Sequence, residues 1–331
     1  MRAAANRKIV ASTTHGQYRA AAMLVTLAAV LFAWTHRHAL SLTGFADDLG
    51  LLAELPQRAT SGELWSDVAT RLTGPLWPQS TMWRPLPYAS FALDARMWGE
   101  QAGGWHLTNL LLHLASAVLV GFVVRDLHLV LHRGVATETI TDGFRASANA
   151  GGAMAFALFL LCPWAPEVTL WLVGRFDGWA TLFVLLALWA GLRSRASIRL
   201  TIVSVLAAVL AYASKESALI LLPWLIVAIG LTAPSRNAST PTAAGRRSWV
   251  LLIIAHSLLV VAYATWRHHL FGGTAAAVYG SSPSFSIWRW LQQFAAQLAF
   301  PAGLASLAAP AAALPQRCRR KPGSNPACPC P

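Results

Sequence analysis

The sequence predicts an all-α polytopic membrane protein with about eight transmembrane helices. Three observations predict it. Of the 331 residues, 56% are hydrophobic and only 12% are charged, against about 25% charged in a soluble domain. The apolar residues fall in blocks, at residues 20–34, 107–124, 151–162, 179–192, 200–213, 218–231, 249–266 and 291–309. Fifteen residues are Trp, a side chain that favours membrane interfaces. Several blocks are shorter than the roughly 20 residues a span needs. Their polar flanks are then drawn in, or the helices lean on neighbours.

The net charge of +13 invites a nucleic-acid reading, but its distribution excludes one. If the N-terminus is cytoplasmic and the blocks alternate, the inside segments hold 17 basic residues and three acids, Asp126, Glu138 and Asp142. The outside segments hold nine bases and ten acids. That is the positive-inside bias, so charge reports topology and not a polyanionic partner. The expected location is a bacterial inner membrane, multi-pass, with the N-terminus cytoplasmic.

In chain order, residues 1–19 read as a basic cytoplasmic arm. Thr35-His36-Arg37-His38 follows the first block and is not a small-residue cleavage site, so this block reads as an uncleaved span. It opens a transmembrane domain over 20–301. Residues 37–104 form a long first outer loop. There "LLAELPQRATSGELWSDVATRL" has apolar residues at helical spacing, with Thr60-Ser61 before Glu63 as a helix start. "PLPYASFALDARMWG" reads as a second amphipathic helix lying on the membrane surface. Span two begins at Trp105, and residues 125–148 are an inside loop. The turn "CPWAPEVTLWLVGRFDG" joins spans three and four, and "SKES" joins five and six. Residues 232–248 are a Ser/Thr/Pro-rich inside linker. Its Asn237 sequon faces the cytoplasm and is not used. Residues 302–331 turn Ala/Pro-rich and then Arg/Cys/Pro-rich, and we expect the reading frame to be lost near 302. Cys162, Cys318, Cys328 and Cys330 match no zinc spacing, so no metal site and no cofactor are expected.

Polar residues return to the outer face from separate turns: Asp47, Asp48, Arg84, His106, Glu167, Arg175, Asp177, Lys215 and Glu216. Charged groups at membrane depth are functional candidates, although snorkelling near span ends lowers their cost. Two adjacent carboxylates repel, which raises one pKa and suits a general base. The alternatives are solvated loop acids at 47 and 48 and a surface pair between Arg175 and Asp177. His106, Asn109, His113 and Ser116 recur every three or four residues. They make a polar stripe on span two that faces the bundle.

The stretch "WRPLPYASFALDARMWGEQAGGWHLTNLLLHLASAVLV" resembles a segment of the TMTC-type O-mannosyltransferases and their bacterial relatives. So do the acidic pair after the first span, "APEVTLWLVGRFDGWATLFVLLAL" and "YASKESALILLPWL". Together they cover about residues 40–230, in matching order. These proteins belong to the GT-C superfamily of polytopic glycosyltransferases. The resemblance implies a GT-C-like fold, a polyprenyl-phosphate sugar donor and a protein or glycan acceptor on the outer side. It carries catalysis to Asp47 or Asp48, donor-phosphate binding to Arg84, Arg175 and Lys215, and site-forming roles to His106, Glu167, Asp177 and Glu216. Relatives often have His-Pro-x-His before the Glu that matches Glu167. Here Cys162-Pro163-Trp164-Ala165-Pro166 stands in its place. Family members usually have further spans, often followed by tetratricopeptide repeats, and a truncated, inactive transferase is one alternative. A transporter or lipid flippase is the other.

Overall fold

The computed structural model describes residues 2–45, 47–77, 80–135, 141–194, 197–231 and 243–272, all within the compact unit Met1–Gly280. The eighth apolar block, the Asn237 sequon and the tail from 302 lie outside the described residues. Among the described residues the regular structure is entirely helical. Four helical stretches are long and apolar enough to cross a membrane: Thr14–Ser41, Ala102–Leu131, Leu172–Arg193 and Ser248–Phe271. They centre on helices α1 (Arg2–Thr35), α5 (Ala102–Val135), α8 (Arg175–Arg193) and α11 (Ala243–Phe271), the first running on through the turn at Ala39–Ser41 and the third starting in the turn at Leu172–Gly174. Residues 2–19 are the helical start of α1.

Blocks three, five and six are the helices α6 (Asp142–Leu160), α9 (Ile198–Tyr212) and α10 (Leu221–Leu231). The 15 residues of α9 span about 22 Å at 1.5 Å per residue, short of the roughly 30 Å hydrocarbon core. These helices nonetheless join the bundle. α1 packs on α6, α6 on α5, α5 on α8, α8 on α9, and α9 and α10 on α11.

Small residues set these contacts. Ala117, Ala187, Ala190, Ala208 and Ala211 are buried. Gly121 of α5 meets Gly152 of α6 so closely that a Cβ on Gly152 would lie 2.7 Å from the Gly121 carbonyl oxygen. Such close approach is how helices pack where lipid supplies no hydrophobic drive. The outer faces carry Met23, Leu158, Ile198, Leu206 and Leu258, all exposed. An apolar surface that broad suits lipid and not water.

Between α1 and α5 the chain folds into three helices, α2 (Asp48–Ser61), α3 (Leu64–Thr73) and α4 (Pro85–Trp98). Thr60 and Ser61 close α2 rather than open the next helix. Gly62, at φ 81°, supplies the left-handed residue that ends it. Pro85 opens α4 at its first position, where its missing N–H costs nothing. α4 does not lie on a surface as the sequence predicts. Eight of its 14 residues are buried, because Phe91, Ala92 and Ala95 join Leu51, Leu55, Leu64, Trp105 and Phe176 in one core.

Candidate functional site

One end of the bundle collects polar side chains from eight parts of the chain. Arg175, at the start of α8, is fully buried. Its guanidinium forms an ion pair with Asp94 of α4 at 2.6 Å. It donates to Asn109 Oδ1 at 2.7 Å and to the Trp105 carbonyl at 2.7 Å, and it lies 4.3 Å from the centre of the Phe91 ring. Asn109 in turn donates through Nδ2 to the carbonyls of Val168, Trp171 and Leu172. Arg175 and Asn109 thus tie α4, α5 and the α7–α8 turn together, where α7 is Ala165–Thr169. Arg175 does not pair with Asp177.

Asp47 and Asp48 separate sharply. Asp48 is fully buried. Its carboxylate accepts the backbone N–H of Val173 at 3.0 Å, of Leu172 at 3.2 Å and of Phe45 at 3.3 Å. It fixes the turn at 172–174 against the start of α2. Gly174 makes that turn possible, since a Cβ there would overlap the Glu167 carbonyl oxygen. Asp47, one residue earlier, is exposed and faces a cavity of about 720 Å³. The cavity is also lined by Glu54, Arg58, Arg71, Trp77 and Tyr88. Asp67 organises its far wall. It pairs with Arg58 at 2.9 Å and Arg71 at 3.1 Å, and it accepts the Tyr88 hydroxyl. Burial, with Asp67 beside it, pushes the Tyr88 phenol up to about 12.

The remaining charges form two sets. Arg84 pairs with Glu216 at 2.7 Å, and Arg267 of α11 approaches the same carboxylate at 3.9 Å. Arg84 and Arg267 are both buried, and neither Nε has a hydrogen-bond partner. Two guanidinium groups around one carboxylate leave an excess of positive charge. Beside them Lys215 donates to both oxygens of Asp177 at 2.7 Å, in a pair that is partly exposed. Glu167 is exposed on α7. His106 is fully buried on α5, near Asp48, Thr43 and Thr169, and neither ring nitrogen meets hydrogen-bond geometry.

Burial raises the Asp48 carboxyl above its ordinary 3.8, partly offset by the N–H groups of Val173, Leu172 and Phe45. Burial also raises Asp94, partly offset by Arg175. The folded chain then holds protons that the unfolded chain has released. Stability falls as pH rises from 3.8 through the raised values. Apparent melting temperature in detergent, followed upward from that pH, should decline, and Asp48→Asn should make the decline shallower. A flat wild-type profile would contradict the burial of both carboxyls.

Sequence reasoning missed Asp94, Arg58, Asp67, Arg71, Trp77, Tyr88 and Arg267. The Asp67–Arg71 pair at i,i+4 on α3 was a readable signal. Asp94 offered another, as a lone acid inside the apolar run of α4.

The fold and the site together define a helical protein with four helices apolar enough to cross a membrane and a polar cluster at one end of them. Comparison with family models, with curated proteins and with solved structures finds no match.

Proposed function

We propose that the chain is a GT-C-type membrane glycosyltransferase, similar to the TMTC-type O-mannosyltransferases. In this reading it moves a hexose from a polyprenyl-phosphate donor to an acceptor hydroxyl on the outer face of the membrane. The observation that carries the reading is the placement of Asp47, an exposed carboxylate on the wall of a cavity of about 720 Å³ lined by arginines and aromatic rings. Pockets of this size with a few convergent polar groups are the usual form of a small-molecule site. The resembling stretches also meet in space, through Arg84–Glu216, Asp177–Lys215 and Asp48 with the 172–173 backbone.

The chemistry follows from these roles. Asp47 accepts the proton of the acceptor hydroxyl as its oxygen attacks the anomeric carbon. The bond from that carbon to the phosphate oxygen breaks, and the polyprenyl phosphate leaves with the electron pair. Inversion at the sugar is what the resemblance implies. Arg84 and Arg267, with their excess positive charge, stabilise the departing phosphate. Lys215, with Asp177, flanks them. Arg175 has its donors committed to protein partners and acts by positioning α4, α5 and α8. Asp48, His106 and Glu216 shape the same end, and Glu167 lies at its rim. The acceptor is a protein or glycan hydroxyl entering the cavity. The opposite end of the bundle carries Arg125, Arg145, Arg193 and Arg199, which supports a cytoplasmic placement of that end and of the N-terminus.

The test is consumption of a mannosyl polyprenyl phosphate by the purified chain in liposomes, with label followed into an acceptor. Release of polyprenyl phosphate with labelled acceptor supports the reading. Donor left intact by folded protein, together with substrate uptake into the vesicles, would replace it with a transporter.

A further inference from the structure

At the end of the bundle opposite the polar cluster, α1, α5 and α6 enclose a groove of about 380 Å³. Its floor is Gly152 and Ala153 of α6, held against α5 by the close contact with Gly121. Its walls are Val25 on α1 and Val118 and Phe122 on α5, with Phe156 closing the inner side. From Val118 to Arg125 it runs about 10 Å along the α5 axis. The lining is apolar until its last residues, Arg125 and Asn149.

Arg125 is the informative residue. Its Nε is buried and has no hydrogen-bond partner. The neighbouring carboxylate, Asp126, is already taken by Arg193 at 3.0 Å and by the Trp189 indole at 3.0 Å. Among the described residues no carboxylate pairs with Arg125. An unsatisfied cationic donor next to an apolar groove is costly at membrane depth. Arg19 on α1 and Arg145 on α6 are both exposed at the same end, so the surroundings are basic.

We propose that this groove binds one anionic phospholipid from the leaflet at the basic end of the bundle. An acyl chain lies along Val118 and Phe122, and the phosphodiester oxygen accepts from Arg125, with Asn149 beside it. The wall residue Phe122 is exposed, as is Leu111 on the same face of α5, and the one charged residue of the lining, Arg125, is positive. An exposed apolar wall that ends in a cation fits a lipid with an acyl chain and an anionic headgroup. This site is independent of the transferase reading.

Native mass spectrometry of the purified chain in mild detergent tests it, with phosphatidylglycerol and phosphatidylcholine added separately. The expected result is one phosphatidylglycerol retained per chain, in preference to phosphatidylcholine. Arg125→Gln should lower that retention about tenfold, the effect of one charge-assisted hydrogen bond, and Arg125→Lys should restore part of it. Ala22→Trp, at an exposed position on the groove wall, should block binding while leaving the melting temperature unchanged. Equal retention of the two lipids, or retention indifferent to both Arg125→Gln and Ala22→Trp, would overturn the proposal. So would a dimer mass that Ala22→Trp abolishes without any lipid bound. Displacement of the lipid by millimolar inorganic phosphate would assign the site to the free anion instead.

Discussion

Arg175→Met should destabilise the fold by about 3–5 kcal/mol, the usual cost of removing one partner from a buried ion pair. The side chain is fully buried and holds Asp94, Asn109 and the Trp105 carbonyl at once. Methionine fills much of the volume and returns none of those donors. Asp94 is then left in an apolar core with only the Thr108 hydroxyl at 2.8 Å. The Asn109 Oδ1 loses the donor that orients the side chain, with its Nδ2 toward three carbonyls. An apparent melting temperature lower by on the order of 10 °C is expected. Asp94→Leu should cost a similar amount, and Arg175→Met with Asp94→Leu should cost clearly less than the two single changes added together. Lys215→Met is the contrast. Its pair with Asp177 is partly exposed, and exposed pairs contribute about 0–1 kcal/mol. Equal small losses for Arg175→Met and Lys215→Met would remove Arg175 from the centre of the fold.

The contrast also marks what a sequence can convey here. Apolar blocks gave α1, α5, α8 and α11 because a run of apolar side chains is a local property of the chain. The stripe of His106, Asn109, His113 and Ser116 was legible for the same reason, since helical spacing alone places them on one face. All four are buried, and His113 reaches the Leu160 carbonyl at 3.2 Å. Pairing was not legible. Arg175 has an acid two residues away at Asp177, yet its partner is Asp94, on a different helix. At the start of α8, residues two apart point about 200° away from each other. Which distant acid is then met depends on how α4 packs, and no local pattern specifies that. α4 misled for a related reason. It reads as amphipathic, yet its apolar residues cover more than one face, the pattern of a helix packed on several sides, and α2, α3, α5 and α8 pack around it.

On the proposed transferase reading, Asp47→Asn should lower glycosyl transfer by about 10²- to 10⁴-fold, the range for loss of a general base, with an unchanged melting temperature. Its neighbour should behave in the opposite way. The two residues straddle the start of α2, where successive side chains diverge by about 100°. One therefore faces the cavity and the other the turn at 172–174. Asn at position 48 would present an amide N–H₂ toward backbone N–H donors that now meet a carboxylate oxygen. Each buried N–H left unsatisfied costs about 1–3 kcal/mol, so Asp48→Asn should melt earlier and lose activity only as the site loosens. The kinetic signatures differ as well. Removal of a base lowers kcat and kcat/KM together, whereas a displaced turn raises KM for the acceptor. Full activity in Asp47→Asn would sink the base assignment. A stable Asp48→Asn protein without activity would transfer the role to Asp48 and require the 172–174 turn to open during the reaction. A buried carboxylate with two backbone partners on that turn is poorly placed to collect a proton while the turn stays closed, and the exposed one is already at the cavity wall.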